Sequence, residues 1–165
     1  MAKVAVIMGS DSDWGVMQAA VKTLKSFDIE VETHIMSAHR TPEIAGQFAS
    51  DAYKNGFGVI IAAAGKAAHL AGVIAGHTIL PVIGVPLCSG NMGGMDALLA
   101  TVQMPPGIPV ATMAVDGAKN AALMAVQILA GGQPELWEKL NDYKREMAEG
   151  VVQKDEKIQQ LAKEL

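Results

Sequence analysis

The chain has 165 residues, enough for one domain with a substantial core; half are hydrophobic but only 4% aromatic, so Ala, Val, Ile, Leu and Met must fill the interior. A formal net charge of −4 with no run of Lys or Arg argues against a nucleic-acid footprint or a polybasic membrane patch. A single cysteine, Cys88, excludes an internal disulfide framework and a cysteine-cluster metal site, and no apolar run is long enough to span a bilayer.

The first element is expected at once: Lys3–Met8 is a β-branched apolar run that stops at Gly9-Ser10. This opening lacks the h-region and cleavage site of a signal peptide, so a cytoplasmic location is expected. From Trp14 to Phe27, Met17, Val21, Leu24 and Phe27 recur at helical spacing. Glu30–Met36 reads as a second strand ending at Ser37-Ala38-His39-Arg40, and Thr41-Pro42 then opens a helix, Thr41 as N-cap and Pro42 at its first position. That helix should stop near Asn55-Gly56.

Gly58–Ala64 is a continuous apolar strand, as expected when both faces are buried. Ala67–Ala75 reads as a short helix and Pro81–Val85 as a fourth strand, followed by the Gly-rich loop Cys88–Gly94. Met95–Gln103 is helical, Val110–Val115 a fifth strand and Asn120–Ala130 a helix apolar on nearly every side. Such a helix is buried all round, and its outer face is expected to meet another subunit, making the protein a homo-oligomer. After Gly131-Gly132-Gln133-Pro134 the composition turns charged and helical to Leu165, so residues 133–165 form a C-terminal helical extension.

Alternating strands and helices imply right-handed crossovers. The expected fold is α/β: a single domain over residues 1–165, three-layered and flavodoxin-like, with a parallel five-stranded sheet and the helical extension.

Ligands bind beyond the carboxyl ends of the strands in such sheets. The unusual polar residues all fall there. Gly9-Ser10-Asp11-Ser12-Asp13 has the glycine, hydroxyls and free N–H groups of an anion site, or equally of an ordinary helix cap with Ser12 or Asp13 as N-cap. It has neither Walker nor GxGxxG spacing, which disfavours ATP and NAD. Asp13 suits a ribose better than a phosphate, since a carboxylate accepts hydrogen bonds from adjacent hydroxyls.

Ser37-Ala38-His39-Arg40 offers a group that titrates near neutrality beside a fork of donors suited to phosphate or carboxylate. His69 lies in an apolar stretch where a core or helix-start histidine is the ordinary reading. His34 and His77 read as structural. None of the four histidines shows HxH or HExxH spacing, so no metal site is expected. Cys88 reads as a small loop residue, and Gln103–Pro109 as a rigid turn after a helix.

Taken together, MGSDSDW (Met8–Trp14), SAHRTP (Ser37–Pro42), AGKAAHLAG (Ala64–Gly72), LPVIGVP (Leu80–Pro86), MDALLATVQMPPGIPVAT (Met95–Thr112) and NAALMAVQIL (Asn120–Leu129) resemble the class I PurE family, the N5-carboxyaminoimidazole ribonucleotide mutases of purine (IMP) biosynthesis. The resemblance covers roughly Val4 to Asp142 and implies an isomerase with no cofactor or metal. It also implies a homo-octamer with active sites between subunits. The small-molecule partner would be the carbamate of aminoimidazole ribonucleotide, its carboxylate moved to ring carbon C4; no nucleic acid or membrane is implied.

Carried over, Ser10, Asp13 and Arg40 bind the nucleotide, with Ser12, Ser37 and Gly65 in the same site. His39 transfers the proton, and His69, near it, is expected as the second catalytic residue. The AAHL segment resembles the mutases rather than the class II enzymes, which take carbon dioxide and aminoimidazole ribonucleotide directly. Three features depart from the pattern: Lys66 stands where glycine is common, Ala71 replaces a usual proline, and the loop Val115–Asn120 is shorter than usual. The competing readings are the direct carboxylase and a non-catalytic flavodoxin-like module that binds a nucleotide or FMN. The latter lacks a cluster of aromatic residues in the strand-end loops to stack on a flavin.

Overall fold

The computed structural model describes residues 2–90 and 92–165. Asn91, which falls within the predicted Gly-rich loop, lies outside the described residues. The elements are β1 (Lys3–Met8), α1 (Trp14–Ser26), β2 (Val31–Ile35), α2 (Pro42–Asp51), β3 (Phe57–Gly65), α3 (Leu70–His77), β4 (Val82–Leu87), α4 (Met95–Val102), β5 (Ala111–Thr112), α5 (Ala118–Ala130) and α6 (Pro134–Lys163). All strand pairs are parallel, in the order β2-β1-β3-β4-β5. This is the flavodoxin-like order, whose ligand crevice lies where the winding reverses, between β1 and β3.

Strand periodicity distributes the core. Val4, Val6 and Met8 of β1 and Val59, Ile61 and Ala63 of β3 face α1 and α5. Ala5, Ile7, Ile60 and Ala62 face α2 and α3 on the other side. Both central strands are buried on both faces, which is why they read as unbroken apolar runs. Each fully buried Val or Ile contributes about 1.5–3 kcal/mol relative to exposure. At Gly84 of β4 a Cβ would lie 2.5 Å from the Thr101 methyl of α4 and 3.3 Å from Ala71 of α3, so the glycine lets both helices reach the sheet.

β2 is an edge strand and is tied to β1 by the Lys3–Glu32 ion pair. Lys3 first, then His34, holds the Glu32 carboxyl below its ordinary range. His34 packs on the Phe48 ring, centroids 5.1 Å apart, and His77 lies 3.2 Å from where a Cβ on Gly46 would stand. Both histidines are packing groups, as expected from sequence.

Four expectations need correction. α3 starts at Leu70 rather than Ala67, because Lys66 adopts φ 55 and that left-handed residue opens a turn before the helix can begin. β5 pairs over only two residues, Ala111 and Thr112, against Ile83 and Gly84; the chain stays beside β4, with the Met113 and Asp116 N–H groups bonding the Gly84 and Pro86 carbonyls, but Pro86 has no N–H to return and the ladder lapses. Ser12 is not a cap: Asp13 stands at the N-cap position of α1, as one of the two expected, but makes no side-chain cap bond there, and Ser10 instead opens a 3₁₀ turn over Asp11–Asp13 in a reciprocal capping box with Asp13. Finally, α5 is covered largely from within the chain, by α1 and by the start of α6, where Leu136 and Leu140 are buried.

The apolar residues left without cover lie elsewhere. Met92, Met95, Leu99 and Val102 form an exposed stripe along α4 and the loop before it, and Met147, Val151, Ile158 and Leu161 another along the outer part of α6. Among the described residues no helix is long and apolar enough to cross a membrane.

Candidate active site

The carboxyl ends of β1, β2, β3 and β4 surround a cavity of about 520 Å³, a size typical of small-molecule sites. Gly9, Ser10, Ser12 and Asp13 line it after β1; Ser37, Ala38, His39 and Arg40 after β2; Gly65, Lys66 and His69 after β3; and Ser89 after β4. Every residue expected in the site from sequence therefore lines one cavity.

The loop after β2 is organised by one hydroxyl. Ser37 Oγ accepts from the backbone N–H groups of Arg40 at 3.1 Å and His39 at 3.3 Å, and more weakly from Arg40 Nε at 3.4 Å. Arg40 Nη2 also donates to the Gly9 carbonyl at 3.2 Å, which anchors the guanidinium at the β1 end of the cavity. Thr41 stands at the N-cap position of α2 as expected, but its hydroxyl bonds back to Ser37 instead of capping. These bonds from the protein itself hold His39 and Arg40 in place, which is the preorganisation a binding site requires.

His39 Nε2 and His69 Nδ1 lie 2.8 Å apart, with the rings edge to face at 5.0 Å. One facing nitrogen must carry a proton and the other a lone pair. A ligand reaching His39 Nε2 competes with His69, whereas His39 Nδ1 has no hydrogen-bond partner among the described residues. His69 is thus an exposed residue lining the cavity, at the N-cap position of α3: of the two ordinary readings, the helix-start one holds and the core one does not.

Asp13 is the carboxylate that lines the cavity. Its Oδ2 accepts from the Ser10 N–H at 3.1 Å. Burial pushes the carboxyl above the ordinary aspartate value of 3.8, with the Asp11 charge adding to the rise, and the bonds from Ser10, Ser12 and Gly9 only partly offset it. Ionised Asp13 therefore costs the fold stability. That cost is absent below the ordinary value, grows as pH rises above it, and is complete once pH passes the higher folded one. Asp13→Asn keeps an oxygen for the Ser10 N–H and removes the charge. It is expected to melt slightly above the wild type at pH 7, the difference vanishing below about pH 4, while nucleotide affinity falls roughly tenfold. Melting curves across pH and a binding titration check both halves.

Gly65 and Ser89 close the β3–β4 side. A Cβ on Gly65 would fall 1.7 Å from Ser89 Oγ and 2.8 Å from Ser89 Cβ, so only glycine lets the two loops meet. Ser89 carries no sequence signal of its own, sitting in a Gly-rich loop, and only the β3–β4 pairing brings it to the cavity. No Phe, Tyr or Trp lines the cavity among the described residues, so nothing there would stack on a flavin ring.

Residues 3–150 match the model of the AIR carboxylase family. The chain is 55% identical over 147 residues to the N5-carboxyaminoimidazole ribonucleotide mutase of Pyrococcus abyssi, covering 89% of this chain and 84% of that one. It is 54% identical over 152 residues to the mutase of Saccharolobus solfataricus, covering 92% and 96%. Among solved structures, Treponema denticola PurE superposes with a TM-score of 0.84 at 30% identity, over 93% of this chain and 96% of that one.

Proposed function

The chain belongs to the AIR carboxylase family, and from that premise we propose that it converts N5-carboxyaminoimidazole ribonucleotide to 4-carboxy-5-aminoimidazole ribonucleotide, with His39 as the proton-transfer group. The relatives named as mutases support the reaction. The observation that carries the residue assignment is the His39–His69 pair at 2.8 Å, which lines one cavity together with Arg40 and Lys66.

Moving a carboxylate from nitrogen to carbon is an isomerisation with no net proton. Protonated His39 gives its proton to the carbamate nitrogen as the N–C bond breaks and carbon dioxide leaves. Ring C4 then attacks that carbon dioxide, and His39 takes the C4 proton as the ring recovers its aromaticity. One imidazole serves as acid and then base, and ends as it began. The sequence succeeds only if carbon dioxide stays beside C4, and the tight contact of Gly65 with Ser89 offers a close wall for that purpose. Ser10, Ser12, Asp13 and Arg40 hold the ribose and phosphate, and Ser37 positions His39 and Arg40.

A closed homo-oligomer, an octamer on the family resemblance, is part of this reading. The exposed stripes on α4 and α6 support it, since apolar rows of that length are seldom left in water. The cytoplasm is the compartment such a nucleotide pathway requires. Purified protein supplied with the carbamate nucleotide should turn over faster than with aminoimidazole ribonucleotide and bicarbonate. The reverse order would assign the direct carboxylase reaction instead.

A further inference from the structure

Lys66 is the residue of the cavity whose backbone is hardest to explain by packing. It adopts φ 55, and the other non-glycine residues with positive φ are Asp28 and Asp116, a type that tolerates this region far better than lysine does. Backbone strain that persists at a cavity mouth points to a use for the side chain. The turn is held firmly: Ala68 N–H bonds the Lys66 carbonyl and His69 N–H the Ala67 carbonyl, each at 2.8 Å. The side chain runs along the loop after β4, its Cε 3.8 Å from where a Cβ on Gly90 would stand. Among the described residues its ammonium has no hydrogen-bond or ion-pair partner, whereas Arg40 is already engaged with Gly9 and Ser37.

The two cavity cations come from different loops. Arg40 follows β2 and Lys66 follows β3, on either side of β1 in the sheet order, and both line the cavity with His39 and His69. A ligand suited to that lining carries two anionic groups and a centre that exchanges a proton with histidine. We infer that the Lys66 ammonium is the counter-charge for the migrating carboxylate, a positioning and specificity role that rests on the mutase reading above.

Physical chemistry sets what such a cation can do. It attracts the carbamate and the C4 carboxylate, both anions, but gains little from neutral carbon dioxide between them. Its interaction is thus stronger in the bound ground states than at the intermediate, so it favours binding without accelerating decarboxylation. Loss of the charge should raise KM for the carbamate nucleotide about tenfold and leave kcat unchanged or slightly higher.

The decisive experiment titrates wild type, Lys66→Met, Lys66→Arg and Lys66→Gly with 4-carboxy-5-aminoimidazole ribonucleotide and with 5-aminoimidazole ribonucleotide, which lacks the carboxylate. Lys66→Met and Lys66→Gly should bind the carboxylated nucleotide about tenfold more weakly and the other unchanged, and Lys66→Arg should restore most of the difference. Lys66→Gly also relieves the left-handed backbone, so its melting point should rise by roughly 2–4 °C and misfolding cannot explain its weaker binding. Equal weakening for both nucleotides would place Lys66 on the phosphate, and no weakening would make it a solvated surface lysine; either overturns the inference and leaves the mutase reading standing. Failure of the wild type to bind either nucleotide would overturn both.

Discussion

His39→Asn should lower turnover by roughly 10²–10⁴ while the nucleotide still binds. The substitution keeps a polar side chain on a loop that Ser37 Oγ already fixes through the His39 and Arg40 amides, so the site's shape should survive. What disappears is the imidazole to which the proposed mechanism assigns both proton transfers, so both steps should fail together. His69→Asn is the internal control. It removes the 2.8 Å contact but leaves the His39 imidazole, so its loss of turnover should be smaller. Steady-state rates with a parallel binding titration separate the two, and near-normal turnover in His39→Asn would remove that residue from the mechanism.

Arg40→Ala should act on affinity rather than on chemistry. A charge-assisted hydrogen bond contributes about 1.5–3 kcal/mol, roughly ten- to a hundredfold in Kd. The guanidinium is held at the β1 end by the Gly9 carbonyl and the Ser37 hydroxyl, so little ordering remains to be done when an anion arrives. The variant should need correspondingly more nucleotide for half-saturation and approach the wild-type kcat at saturation. An unchanged Kd would make Arg40 a brace for the loop and no more.

Much of this arrangement was legible in the sequence, for identifiable reasons. Lys3–Met8 was read with its observed bounds because a β-branched run ending in Gly-Ser has one natural stop. The site could be read as a set because a parallel sheet sends every strand-end loop to one edge. Contacts between loops were harder. His39 and His69 are 30 residues apart, and the apolar neighbours of His69 argue for a core position; only the β2-β1-β3 order brings the two loops together. The resemblance placed His69 near His39, which composition alone does not.

Lys66 shows the opposite limit. Its side chain was visible as a departure, but its positive φ moved the start of α3 from Ala67 to Leu70. Helical periodicity does not register a left-handed residue that is not glycine. α5 differs from expectation for a related reason: its all-round apolarity is genuine, yet α1 and α6 of the same chain cover much of it. The rows that do lack cover, on α4 and outer α6, emerge only when exposure is known.

The central claim is that one carboxylate moves from nitrogen to carbon without leaving the cavity. Carbamate nucleotide labelled in its carboxylate carbon, turned over in excess unlabelled bicarbonate, tests it directly. Retention predicts that the label appears at C4 largely undiluted, because carbon dioxide recombines before it escapes. Product carrying mainly unlabelled carbon would contradict the account: carbon dioxide would then be drawn from solution, and the reaction would be a carboxylation of the free nucleotide.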